Sequence, residues 1–344
     1  MTDHLLDLIS VDDIVAARRR LSGLIRETPL RAVQLPHDPT TDVLVKCENL
    51  QPTGSFKLRG ALNALLVALE RGPRRGFITY SAGNHGRALA HAAQIAGVPS
   101  TVVMPATATE AKVEWTRLAG AEVVVVDPDD IVTRAHAIED ERGLGFIHPF
   151  DDRDVIAGQG TVALEILDQL GGGEIDAILV PVGGGGLLAG IARILSDRLP
   201  DTRIIGVEPE FAGDLAEGFR TGTRVAWGRE QTRRTIADGL RSPQVGALPW
   251  AHISALVDDV LTVPEEGILD ALRLLAVQTD TVIEPSAAVA TAALLHHGDT
   301  FRGARVVSLL TGGNVDDASF AKLLGSPAPT QSTPTSSRPE EGRS

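Results

Sequence analysis

Only one cysteine, Cys47, stands in 344 residues, so no disulfide can close within the chain. Its place in Val43-Leu44-Val45-Lys46-Cys47 reads as a buried strand thiol rather than a nucleophile. No secretory leader is expected either, because Met1-Thr2-Asp3-His4 has no basic segment leading into an apolar stretch. No apolar run reaches the ~18 residues of a membrane span without a charge, glycine or proline. Excess positive charge is missing too: 32 Lys and Arg against 45 Asp and Glu give a formal charge of −13. That balance opposes a broad nucleic-acid surface and favours solubility. The expectation is a cytoplasmic protein with neither nucleic-acid nor membrane partners.

Three chemical signatures are absent as well. Gly-x-Gly-x-x-Gly at a first βα turn, with an acid ~20 residues on, does not occur, which weakens a dinucleotide reading. There is no Gly-Lys-Ser or Gly-Lys-Thr phosphate loop. Histidine, cysteine and carboxylates form no convincing zinc set; His296 and His297 are adjacent and cannot share one helix face.

What is present is ample core material, 43% hydrophobic in a length that holds two ordinary domains or one large α/β unit. Ser10, with Asp13 as its capping-box acid, predicts a helix over Val11 to Leu24, its C-terminal end favoured by Arg18, Arg19 and Arg20. Val43 to Cys47 predicts the first strand. From Phe77 the chain alternates: strand Phe77 to Tyr80, helix Asn84 to Ile95, strand Thr101 to Met104, helix Thr109 to Leu118, strand Val123 to Val126, helix Ile131 to Glu141. That rhythm is the sequence form of a parallel sheet covered by helices. It resumes with a helix over Asp154 to Leu170, strands Ile175 to Val180 and Arg203 to Val207, and a helix over Leu187 to Leu199. Strands at Val257 to Val263 and Val306 to Leu310 follow, with helices Glu265 to Gln278 and Ala287 to His296 between them. The expected division is a smaller domain over 76–150, a larger discontinuous one over 1–75 and 151–325, and a Pro-, Ser- and Thr-rich disordered tail over 326–344.

Three stretches carry chemistry. In Pro52-Thr53-Gly54-Ser55-Phe56-Lys57-Leu58-Arg59-Gly60, a small-residue turn meets a helix whose buried side is Leu58, Ala61, Leu62, Leu65, Leu66 and Leu69. Lys57 would sit on a rigid base, and a desolvated lysine can form a Schiff base with an aldehyde cofactor. Alone, it reads rather as a surface lysine at a helix start. Thr79-Tyr80-Ser81-Ala82-Gly83-Asn84-His85-Gly86 and Pro181-Val182-Gly183-Gly184-Gly185-Gly186-Leu187 each lie between an apolar run and a helix, where backbone N–H groups meet an anion. A tight turn explains two successive glycines; four suit converging N–H groups around phosphate.

Together and in this order these stretches resemble the threonine/serine dehydratase and serine racemase group of β-family (fold type II) pyridoxal-phosphate enzymes, from about Val11 to Phe320. The resemblance implies an α/β tryptophan-synthase β-subunit-like fold of two open, mostly parallel sheet domains covered by helices. It implies pyridoxal 5'-phosphate on Lys57, which would also remove the substrate α-proton, with Phe56 alongside. Gly183, Gly184, Gly185, Gly186 and Leu187 would hold the phosphate, Asn84 the phenolic oxygen and Thr311 the pyridine nitrogen. Ser81, Ala82, Gly83, Asn84 and His85 would face an amino-acid substrate, with Ser81 and nearby N–H groups at its carboxylate. An ordinary helix cap is the plainer reading of Asn84.

Glu208 and Asp214, with the Ala212 carbonyl, are implied ligands of Mg²⁺ or Ca²⁺; spacing alone reads them as solvated acids. Asp238, in Thr235-Ile236-Ala237-Asp238-Gly239, reads either as part of the site wall or as an Asx turn. A homodimer is implied too; because nothing sizeable follows the catalytic region, no effector domain is expected. Ala82 departs from the Ser-Ser-Gly-Asn-His stretch of mammalian-type serine racemases, where the second hydroxyl acts on the opposite substrate face. Alanine has no such proton. The implied reaction is β-elimination of L-threonine or L-serine to a 2-keto acid and ammonia. A 3-hydroxyaspartate dehydratase, a serine racemase and a noncatalytic binding protein are the alternatives.

Overall fold

The computed structural model describes residues 7–325, so the tail expected over 326–344 lies outside the described residues. Two sheets organise the chain. The larger has six strands in the order β1-β2-β10-β7-β8-β9, where β1 is Leu30–Leu35, β2 Asp38–Cys47, β7 Ala177–Pro181, β8 Arg203–Pro209, β9 Asp259–Val263 and β10 Arg305–Leu310. The smaller has four, β5-β4-β3-β6, with β3 at Phe77–Tyr80, β4 at Ser100–Pro105, β5 at Glu122–Val126 and β6 at Gly145–Phe146. Every pairing of these strands is parallel except β1 with β2. This is the fold type II architecture, two mostly parallel sheets each covered by helices.

The buried faces follow the sequence pattern. β7 is buried at every position, and Leu179 packs towards Ile205, Leu272 and Val289 while Ile178 packs towards Ile156, Ile191 and Leu195. A strand covered on both faces needs apolar residues at successive positions. In the helix Lys57–Glu70, Leu58, Ala61, Leu62 and Leu65 are fully buried, whereas Leu66 and Leu69 are only partly so. Each buried leucine is worth about 1.5–3 kcal/mol over exposure, so this face fixes the helix firmly. The helix Arg153–Leu170 lies against it, and Gly158 allows that contact, because a Cβ there would come within 2.5 Å of the Arg59 carbonyl oxygen.

The capping box Ser10–Asp13 forms as expected. Its helix stops at Leu21 rather than Leu24, because Ser22 leaves helical geometry and Gly23 turns to a φ of 76°. Strand β1 is not anticipated by the sequence reading; it forms the antiparallel edge of the larger sheet. Among the described residues no helix is long and apolar enough to cross a membrane.

Candidate active site

A cavity of about 680 Å³ is walled by elements of both sheets. Its lining includes Phe56, Lys57, Ser81, Ala82, Gly83, Asn84, His85, Gly183, Gly184, Gly185, Gly186, Leu187 and Thr311, so every organic-site residue expected from the sequence meets here. Glu208, Ala212 and Asp214 lie outside this lining.

Lys57 opens its helix directly after the lysine loop, and two backbone contacts hold that loop. Phe56 N donates to the Thr311 carbonyl at 3.1 Å, and Gly313 N to the Gly54 carbonyl at 2.9 Å. Two residues on, the fully buried Arg59 pairs with Glu48 at 2.7 Å and Glu165 at 2.6 Å, while buried Lys46 pairs with the same Glu165 at 2.8 Å. Two cations and two anions balance in this quartet, the condition under which buried charges are tolerated. Lys57 Nζ donates to the Pro149 carbonyl at 2.9 Å and meets no carboxylate. Burial therefore acts on its ammonium without compensation and lowers it to about 8.

The glycine loop joins β7 to the helix Gly186–Arg198, whose first turn carries no side-chain cap. A methyl on Gly184 would overlap the Phe150 ring, and one on Gly185 would lie 2.5 Å from Val245 Cγ2. Gly185 also has a φ of 85°, a left-handed value that L side chains adopt at a cost. These constraints leave a bare backbone edge that lines the cavity at a helix N-terminus, the kind of edge that receives an anion.

Asn84 starts the helix Asn84–Ala96, yet its side chain does not act as a cap. Its Nδ2 donates to Glu284 Oε1 at 2.7 Å, and its Oδ1 accepts from Asn314 Nδ2 at 2.7 Å. Asn314 N donates to Glu284 Oε2 at 3.2 Å, and Arg87 Nη1 donates to Asn314 Oδ1 at 2.7 Å. Burial, then the charge of Asp238, raises the Glu284 carboxyl to about 7. The Ser81 hydroxyl accepts from Gly83 N at 3.1 Å. The buried His85 ring donates from Nε2 to the Ile147 carbonyl at 3.1 Å. Burial, then the Lys57 charge, holds that ring down to about 3, so it is neutral. Lys112 pairs with Asp238, linking the helix Glu110–Leu118 to the opposite wall of the cavity.

A family model described as pyridoxal-phosphate dependent enzyme matches residues 21–312. The chain belongs to that family. This pyridoxal-phosphate enzyme is a fold type II lyase related to threonine and serine dehydratases and serine racemases. It is 37% identical to a serine racemase of Schizosaccharomyces pombe over 94% of this chain and 99% of the relative. It is 38% identical to a beta-hydroxyaspartate dehydratase of Paracoccus denitrificans over 89% and 96%. A solved T.th. threonine deaminase superposes with a TM-score of 0.84 at 42% identity, covering 90% of this chain and 99% of that one.

The residues present fit pyridoxal phosphate. A depressed lysine amine, a bare glycine edge at a helix N-terminus and an oriented amide donor all face one cavity. Away from that cavity, Glu208 and Asp214 are buried carboxyls joined by no salt bridge among the described residues. Glu208 accepts from Leu215 N and Ala216 N, at 3.2 and 2.8 Å, and Asp214 from Val245 N at 3.1 Å. Burial and then Asp214 push Glu208 well above the carboxylate range; burial pushes Asp214 to about 7. The chemistry of such a pair fits a hard cation. Among the described residues no group of three or more His, Cys, Asp and Glu is placed to hold a metal.

Sequence reasoning missed Glu284, Asn314, Tyr80, His148 and Phe150. For Tyr80 a signal existed, since it is the single tyrosine of the chain. The partners of Asn84 lie 200 and 230 positions away, beyond any local pattern.

Proposed function

We propose that this enzyme removes water from a small β-hydroxy amino acid, L-threonine or L-serine, and releases a 2-keto acid and ammonia. The observation that carries the reading is the pairing of Lys57 with Ala82 in one cavity: one amine suited to take a proton, and a methyl where a second proton carrier would stand. Removing a proton from Cα and returning it to the other face requires two groups. Elimination requires one, because loss of the β-oxygen disposes of the electron pair.

Pyridoxal phosphate, when bound, supplies the electron sink for the Cα–H bond. Lys57 Nζ would hold the cofactor and would take the α-proton; at about 8 it is partly unprotonated at neutral pH, where an ordinary lysine is not. Gly183, Gly184, Gly185, Gly186 and Leu187 would seat the phosphate with backbone N–H groups, Asn84 Nδ2 would hold the phenolic oxygen, and the Thr311 hydroxyl would hold the ring nitrogen. Phe56 lies beside the amine, its ring centroid 5.1 Å from Lys57 Nζ. Ser81, Ala82, Gly83, Asn84 and the neutral His85 form the substrate loop, with the N–H groups of that loop at the α-carboxylate. Water leaves with the α-proton and the β-hydroxyl; the freed enamine tautomerises and is hydrolysed to the keto acid and ammonia.

The same reading puts Mg²⁺ or Ca²⁺ on Glu208, Asp214 and the Ala212 carbonyl, and treats 76–150 as a unit distinct from 1–75 with 151–325. The two sheets support that division. It also takes the enzyme as a homodimer, which sedimentation at several concentrations tests. A side-by-side assay of L-serine, L-threonine and 3-hydroxyaspartate, following keto acid and chirality together, decides the reaction. Keto acid from serine or threonine is expected; rapid racemisation with little keto acid would overturn it.

A further inference from the structure

Tyr80 ends β3 one residue before the substrate loop, and His148 lies two residues beyond Phe146 in β6. Ile78 is in register with Phe146, so two residues further along, with a side-chain period of two, Tyr80 and His148 emerge on the same face. They touch: the Tyr80 oxygen is 3.1 Å from His148 Nε2. The ring of Tyr80 is further held by Phe146 and His148, at centroid distances of 5.8 and 5.9 Å.

The hydrogen-bond partners of His148 settle which way this contact runs. Its Nδ1 accepts two backbone hydrogens, from Phe150 N at 3.2 Å and Asp151 N at 2.8 Å. A ring nitrogen that accepts carries no hydrogen, so the neutral imidazole has its hydrogen on Nε2 and donates it to the phenolic oxygen. Burial lowers the pKa of His148, which keeps the ring in this neutral form. Because the Tyr80 oxygen already accepts from His148, its own hydrogen points elsewhere. No other hydrogen bond of that oxygen occurs among the described residues, and Tyr80 lines the cavity.

The position of that donor narrows what it meets. His148-Pro149-Phe150 is one short segment with three tasks: His148 orients the phenol, the Pro149 carbonyl holds Lys57 Nζ at 2.9 Å, and the Phe150 ring backs Gly184. The phenol and the amine are thus set by consecutive residues. In the elimination reading the amine meets the Cα hydrogen, and the N–H groups of the Ser81 loop meet the α-carboxylate. The substrate oxygen left without a donor is the one on Cβ, a single bond from Cα.

We propose that Tyr80 donates a hydrogen bond to the β-oxygen of the substrate, and that His148 is the positioning residue that aims it. This rests on the β-elimination reading and adds to it the group that recognises the departing hydroxyl. The phenol keeps its proton; the contact is a hydrogen bond that strengthens as negative charge grows on the leaving oxygen. It also selects for substrates that carry an acceptor at Cβ.

The test compares two leaving groups in the holoenzyme. L-Serine loses its β-oxygen as water, whereas β-chloro-L-alanine loses chloride, which needs no such donor. In Tyr80→Phe, kcat/KM on L-serine is expected to fall about 10- to 100-fold, with β-chloro-L-alanine changed by no more than about 2-fold. His148→Phe is expected to reproduce the same split, and His148→Gln, which keeps an N–H donor, to restore part of the serine rate. Borohydride labelling of Lys57 and the melting temperature of each variant establish that fold and cofactor site persist. Equal losses on both substrates, or no loss on serine, would overturn the role of Tyr80, and an unaltered serine rate in His148→Phe would overturn that of His148. The parent enzyme reports on the reading beneath: inactivity on both L-serine and L-threonine would remove elimination, and the phenol's role with it.

Discussion

Asn314 Nδ2 donates to Asn84 Oδ1 at 2.7 Å, and this one contact decides how the Asn84 amide is turned. With its oxygen taken, Asn84 can present only N–H groups, one of which goes to Glu284. An asparagine free to flip would offer a cofactor oxygen either a donor or a repelling acceptor. Here the choice is made before any ligand arrives, the preorganisation that lowers the cost of binding.

Glu284 completes that arrangement and makes it sensitive to pH. Its carboxyl titrates at about 7 in the folded protein against an ordinary 4.5. Between those values the folded protein holds a proton that the unfolded chain has released, so stability falls as pH rises through this window. Replacing the group by Glu284→Gln should flatten the fall by an amount on the order of a few kcal/mol. Melting temperatures of cofactor-free parent and variant across the window check this, and parallel curves would contradict it.

Lys57 should betray its depressed amine chemically. In cofactor-free protein its acylation should rise through a pH of about 8, while exposed amines follow at higher pH. Peptide mass analysis after brief labelling gives the profile residue by residue. In the holoenzyme, Lys57→Ala should lose three orders of magnitude or more in turnover, and borohydride should no longer fix cofactor at that position.

Gly185→Ala should strike the phosphate seat. The left-handed φ of 85° costs a side chain about 1–2 kcal/mol, and the added methyl meets Val245. Dialysis of the variant should strip cofactor that the parent retains. Equal retention would mean that the loop does not hold the phosphate.

Mg²⁺ or Ca²⁺ should raise the melting temperature of chelator-treated protein. A cation at 100 times its Kd adds about 2.7 kcal/mol. Asp214→Asn should abolish the increment while leaving the fold intact. A parent protein indifferent to both ions would dispose of the proposed cation site.

Much of this was legible from local chemistry. The capping box at Ser10 and Asp13, the strand Phe77–Tyr80 and the four glycines after β7 are each decided by neighbours a few positions apart. Leu30–Leu35 was not, because Thr28-Pro29 reads as an ending and only the hairpin with β2 makes it a strand. Lys46 likewise reads as one charge in an apolar run; its buried partner Glu165 is 119 positions away. The Tyr80–His148 contact depends on β3 lying beside β6, a matter of sheet order that no window of sequence contains.

Sheet order has a further effect during synthesis. The smaller sheet is complete once the chain has grown to Phe146, and all its strands are contiguous in sequence. The larger sheet is not, since β10, the last strand of the described chain, sits between β2 and β7. A nascent chain therefore carries the lysine loop for most of its translation, and the glycine loop from its own synthesis onward, without the strand that unites them. Thr311, which receives the Phe56 N–H, follows that strand. Because domains fold as units, early ones first, the reactive amine stays without its finished surroundings until translation has passed β10. A half-made chain has no assembled site in which to trap cofactor or release reactive enamine.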